Sequence, residues 1–186
     1  MRYMKRQRQT NSPHRDELTA RCLAAFVQAG TIDLSLDRLA ESVKISKRML
    51  VHYFGNRETI EERAMTLLEE KLRAQFAPEL FPAGSSLKSV MSALWKQTTD
   101  PKSRRVLLLV MDVSRRAWNG SKRAQQFYAQ QQRLWIRLLM NFSSDQGAVE
   151  EMLHRFQGAL LAYLVSGDPE PGRRSLARLI RAGTQK

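Results

Sequence analysis

Cysteine occurs once in the 186 residues, as Cys22, and histidine three times, as His14, His52 and His154. One cysteine excludes an intrachain disulfide framework. The histidines lie far apart, with no cysteine or carboxylate at metal-ligand spacing, so no zinc site is expected. No glycine-rich phosphate loop occurs. Cys22 falls on an apolar helical stripe and reads as a small buried hydrophobe, not a nucleophile. Neither an enzyme nor a cofactor is expected. Long apolar runs are missing too: stretches such as Val106 to Met111 are too short to span a membrane. The basic start MRYMKRQRQTNSPHR is not followed by an apolar segment, so no secretory signal is expected and the protein should be cytoplasmic.

Acids are scarce: 18 Asp and Glu stand against 31 Lys and Arg, giving a net charge of +13 and a pI near 10.6. Such a field favours anionic partners, namely nucleic acid, an anionic membrane or acidic metabolites. Hydrophobic residues make up 42% of the chain, enough for a core.

No strand pattern, repeat or low-complexity tract occurs, and the chain reads all-α. Residues 1–15 carry Arg2, Lys5, Arg6, Arg8 and Arg15 and no acid, which predicts a flexible basic arm. Leu18, Cys22, Ala25, Phe26 and Ala29 then form one helical face over about 16–29, ended by Gly30. Ser35 caps a second helix to about Val43, and Ser46 a third from Lys47 to Phe54. Gly55 stops the third, and Asn56 caps a longer helix to about Phe76. Ala77 to Ser86, with two prolines and a glycine, is the best boundary signal. Beyond it helices are predicted from about Leu87, Asp100, Ser121, Ala148 and Arg173, the stretch Val106–Val113 being apolar nearly all round and therefore buried.

The third helix is only about eight residues long, marginal on its own. It makes sense if Leu50 and Phe54 are clamped by its neighbours while Lys47, Arg48, Val51 and His52 face outward. Two helices joined by a tight turn, the second short, basic and outward-facing, form a helix-turn-helix suited to a DNA major groove. The competing readings are a basic helical module that binds DNA non-specifically, or one that docks on an anionic membrane or protein partner. The acidic fourth helix, with Glu61, Glu62, Glu69 and Glu70, disfavours a membrane.

The stretch MLVHYFGNRETI resembles the signature of the TetR family of bacterial regulators, in Leu50, His52, Tyr53, Phe54, Arg57 and Ile60. Ser35, Leu36, Leu39, Ala40, Ile45 and Ser46 match the family's spacing upstream. The resemblance covers about residues 14–76. It implies a three-helix DNA-binding domain, here 16–57, and then 58–186 as a linking helix and a helical bundle that binds a small molecule and dimerises. It also implies that Lys47, His52, Tyr53 and Arg57 contact phosphate, that Arg48 and Met49 read base edges, and that Ser35 and Ser46 add phosphate contacts. Three positions depart from the family. Lys44 stands where glycine is usual in the turn, Arg48 replaces a small residue, and Val51 replaces a tyrosine and is available to a thymine methyl.

A ligand-responsive homodimer is implied, more as a repressor than an activator, binding a palindromic double-stranded operator. Trp95, Met111, Trp118, Phe127, Tyr128 and Trp135 are the candidate pocket walls, with ordinary core packing as the alternative for each. Asp112 is the only carboxylate between Pro101 and Arg123, which favours a neutral or anionic effector. Gly158, Ala162 and Ser166 recur at steps of four and offer a face for close helix approach between protomers.

Overall fold

A computed structural model describes the backbone of residues 2–182 and the side chains of residues 13–178. Those residues form nine α-helices and three short 3-10 turns, and no strand: α1 (Arg2–Ala29), α2 (Leu36–Ser42), α3 (Lys47–Phe54), α4 (Arg57–Ala74), α5 (Leu87–Thr98), α6 (Arg104–Trp118), α7 (Lys122–Leu139), α8 (Gln146–Ser166) and α9 (Glu170–Ala182). The all-α expectation holds.

Helix starts follow side-chain capping. Ser35, Ser46, Ser86, Ser121 and Asp145 each accept a backbone N–H two or three residues into the helix they open. Asn56 Oδ1 does the same for Thr59 N, at 2.8 Å.

The N-terminal boundary differs from the sequence reading. The basic segment expected to be an arm continues α1 back to Arg2, with Pro13 inside the helix. An interior proline removes one backbone donor and crowds the carbonyl four residues back. The run Met4 to Gln9 before it is made of good helix formers, which favours the helix there.

The chain divides into two compact units, Met1–Lys71 and Leu72–Lys186. The division falls inside α4, not at its start as expected. Most of α4 is needed to close the first unit, where Ile60 and Ala64 are fully buried. Buried with them are Leu18, Cys22, Leu23 and Phe26 on α1, Ile32 in the loop after it, Leu39 and Ala40 on α2 with Val43 at its end, Leu50 and Phe54 on α3, and Met65 and Leu68 on α4. Most of these lie on the stripes the 3.6-residue period picks out. Arg21 of α1 donates to the Val43 carbonyl, tying α1 to the end of α2.

The second unit has one buried cluster, built from α5, α8 and α9 with the facing sides of α6 and α7. Trp95 is its pivot. The indole meets Phe156 edge-on, with ring centroids 5.7 Å apart, and lies 6.3 Å from Tyr163. The Tyr163 hydroxyl donates to the Thr99 carbonyl at 3.1 Å, fixing α8 to the end of α5. Gly172 packs α9 against the other edge of the indole, where an added Cβ would overlap the ring. Only glycine permits that approach. On α6, Leu107, Leu109 and Val113 are buried but Leu108 is exposed, so that helix is less enclosed than its apolar run suggested.

Two outcomes follow from these cores. Gly172→Ala must push the rigid indole aside, and should destabilise the chain by about 1–3 kcal/mol, read from the denaturant midpoint. Burial raises the Cys22 thiol pKa to about 12, more than the charge of Arg21 lowers it. The native thiol therefore stays neutral to high pH, and iodoacetamide at pH 8 should label Cys22 only after unfolding. Rapid labelling of the folded chain would show the thiol to be accessible.

Candidate nucleic-acid interface

Eight residues of α3 present two faces. Leu50 and Phe54, one turn apart, are buried. Lys47, Arg48, Met49, Val51 and His52 are all exposed. The Ser46 hydroxyl oxygen accepts from Met49 N at 3.2 Å, and the Ser35 oxygen accepts from Arg38 N at 3.2 Å. Both serines are exposed, and each hydroxyl keeps a proton to give to a partner.

The turn between α2 and α3 explains Lys44. Ile45 N donates to the Ala40 carbonyl and Lys44 N to the Glu41 carbonyl, both at 3.1 Å. This is the paired bonding of a Schellman ending, which requires the residue after the cap to be left-handed. Lys44 takes that place at φ +55°. Glycine is the usual occupant; a side chain there costs about 1–2 kcal/mol. The turn is thus built in the ordinary way with a strained residue, and its exposed ammonium stands between the two helices.

Lys47 is held by α2. Its Nζ lies 2.9 Å from Asp37 Oδ2, and both side chains are more than half exposed. Such a pair adds little stability, but it places a carboxylate beside a cation on the candidate DNA face. Sequence spacing gives no hint of Asp37, because the two residues meet only through the turn.

Tyr53 is half-buried. Its ring lies 5.1 Å from that of His14 on α1 and 5.3 Å from that of His52. This row of rings joins α1 to α3.

Arg57 stands apart from the other candidates. Its Nε donates to Glu61 at 2.7 Å, and one terminal nitrogen donates to Asp33 at 2.8 Å and to the Ile32 carbonyl at 3.2 Å. Burial lowers its pKa, but bonds and charge from Asp33 and Glu61 outweigh that and raise it. The guanidinium pins the loop after α1 to the first turn of α4, a structural task alongside the phosphate contact expected.

The pocket candidates do not share one wall. Trp95 is core, and Trp135 packs half-buried against Phe76 with ring centroids 6.2 Å apart. Met111 and Phe127 are half-buried, whereas Tyr128 is exposed and Trp118 is 89% exposed. Trp118 therefore lines no interior wall of the second unit: it is the last residue of α6, beyond the turns that pack. A groove of about 750 Å³ lies instead in the first unit, lined by Arg21, Ala25, Leu34, Arg38, Glu41 and Lys44 among others. Gly158, Ala162 and Ser166 are all exposed, and nothing lies within 4 Å of where a Cβ on Gly158 would stand. Among the described residues, no three His, Cys, Asp or Glu side chains are placed to hold a metal. Among the same residues, no helix is long and apolar enough to cross a membrane.

No family model and no curated protein matches the chain. Solved structures do. A protein assigned to the TetR family of transcriptional regulators from Rhodococcus sp. superposes with a TM-score of 0.72 at 19% identity, over 92% of this chain and 98% of its own. A transcriptional regulator from Rhodococcus sp. Rha1 gives 0.71 at 18% identity, over 92% and 95%. One from Streptomyces coelicolor A3(2) gives 0.75 at 18% identity, over 91% and 98%. The chain has the fold of TetR-type regulators: a helix-turn-helix unit followed by a helical bundle.

The strain at Lys44 is open to measurement. Lys44→Gly should stabilise the chain by up to about 1 kcal/mol, because relieved strain exceeds the extra backbone freedom of glycine in the unfolded chain. Lys44→Ala should leave stability near wild type. Equal denaturant midpoints for the two variants would show that the turn is not strained.

Proposed function

We propose that this chain is a sequence-specific DNA-binding transcriptional regulator that acts as a homodimer. The observation that carries the reading is α3. Its inner residues Leu50 and Phe54 are fixed in a core, while its outer face holds Lys47, Arg48 and His52 beside Lys44. A helix so presented fits a major groove roughly 12 Å wide. Lys44, Lys47, His52 and Tyr53 are assigned to phosphates, with Ser35 and Ser46 adding hydroxyl contacts. Arg48 and Met49 are assigned to base edges, and Val51 to a thymine methyl.

One short helix reads few base pairs, so specificity calls for two half-sites and a two-fold axis. The exposed row Gly158, Ala162 and Ser166 on α8 supports that pairing. The second unit is assigned an effector site for a neutral or anionic small molecule, whose binding changes the spacing of the two α3 helices and releases the operator. Repression follows from occupancy of the operator.

Selection of bound duplexes from a random pool at physiological salt tests this. The expected winner is a palindrome bound at least ~10³-fold tighter than a scrambled duplex. The Lys47→Ala/Arg48→Ala double variant should lose that preference and reduce the salt dependence by about one phosphate contact. Binding that is flat across sequences and collapses with salt would replace regulation by non-specific DNA binding. Full affinity in the double variant would move the DNA surface away from α3.

A further inference from the structure

The stretch from Ser35 to Asn56 holds two carboxylates, Asp37 and Glu41, against the cations Arg38, Lys44, Lys47 and Arg48. The two acids have different surroundings. Glu41 lines the groove of the first unit, together with Arg21 and Arg38. Asp37 instead meets α3: its Oδ2 accepts from Lys47 Nζ at 2.9 Å. The Asp37 side chain is 70% exposed and that of Lys47 53%, so both stand open to whatever α3 touches.

Stability does not explain the pair. An exposed ion pair contributes little. Lys47 is the first residue of α3, where a cation opposes the helix dipole. Asp37 lies in the first turn of α2, where the dipole favours an acid, but that effect calls for no partner on another helix. On a face that meets DNA the carboxylate is costly. Phosphates repel it, and its bond to Lys47 must break before that ammonium can neutralise a phosphate. A cost paid on every duplex alike would only weaken binding. It sharpens selection when one sequence compensates it.

Base edges supply the compensation. The first residues of a recognition helix meet the edges in the major groove, and Asp37 is bonded to the first residue of α3. Cytosine presents an N4 amine there, the donor an aspartate accepts from. Adenine sets its amine beside the N7 acceptor, which repels a carboxylate, and guanine and thymine present acceptor oxygens.

We propose that Asp37 is a specificity-determining residue: its carboxylate accepts from the N4 amine of a cytosine in each half-site, and on other sequences it withholds Lys47 from phosphate. The proposal rests on the DNA-binding reading above and deepens it. On a matching site the cytosine amine takes over the carboxylate, and Lys47 is released to the backbone. On any other site either the ion pair stays closed and one phosphate contact is lost, or it opens and leaves a bare carboxylate against the DNA.

The test is the affinity of the full chain for the duplex selected from a random pool, for its single-base variants across each half-site, and for a scrambled duplex. Wild type should show one cytosine per half-site whose replacement costs about 10-fold or more. Asp37→Ala should level that position alone. It should also bind the scrambled duplex about 10-fold tighter and raise the salt dependence by about one phosphate contact. Asp37→Asn should prefer adenine where the wild type prefers cytosine, because a side-chain amide pairs with adenine N6 and N7. In a Lys47→Ala background, Asp37→Ala should again level the position but leave the salt dependence little changed, since no ammonium is released. The exposed setting of Asp37 means that these variants should keep the wild-type helical circular dichroism. A selected duplex whose every base preference survives in Asp37→Ala would overturn the proposal and leave the DNA-binding reading standing, with Asp37 reduced to a charge favoured by the α2 dipole. A wild-type chain that selects no duplex would overturn the regulator reading and this proposal with it.

Discussion

Left alone in water, the eight residues of α3 would not stay helical, because the first turn of any helix costs more than its hydrogen bonds return. Burial of Leu50 and Phe54 supplies the difference, each contributing about 1.5–3 kcal/mol. The Ser46 cap adds about 1 kcal/mol. Arg48, Met49 and Val51 on the outward face of α3 are thereby left with little part in stability and stay open to solvent. The surrounding pieces serve the same end: the Schellman turn at Lys44 sets the angle between α2 and α3, the ring row from His14 to His52 holds α3 against α1, and Arg57 ties the loop after α1 to the start of α4. The strain at Lys44 is tolerated because the turn leaves no other conformation and its ammonium adds to a cationic face.

The second unit obeys a different constraint, the fit of a rigid indole. Trp95 fills the space between α5, α8 and α9, and the absent side chain of Gly172 admits it. That choice fixes α8, which then carries a row of small residues outward. Trp118 has the same chemistry and the opposite setting. Trp95 holds the unit together, whereas Trp118 stays exposed at the end of α6.

Much of this was legible in the sequence, and the reasons are local. Ser35, Ser46 and Ser121 announced their helices because a cap is a contact within four residues. Leu50 and Phe54 were readable as an inner face from their spacing alone. What was not legible depended on residues distant in the chain. Arg57 reads as one more basic residue of a DNA face, since its partner Asp33 lies on another loop. Asp37 gives no sign that it meets Lys47 across a turn. Trp118 reads as a pocket wall because periodicity cannot tell the packed turns of α6 from its last residue. The basic, acid-free residues 1–15 read as a flexible arm, yet α1 runs back through them to Arg2.

The central claim is that α3, held from behind, is the surface that meets DNA. Amide hydrogen exchange of the full chain, with and without a tightly bound duplex, tests it most directly. Contact through α3 requires added protection concentrated between Ser35 and Tyr53. Protection confined to the basic residues 1–15, or to the cations between Lys102 and Arg123, would contradict the claim and leave α3 a helix that is merely exposed.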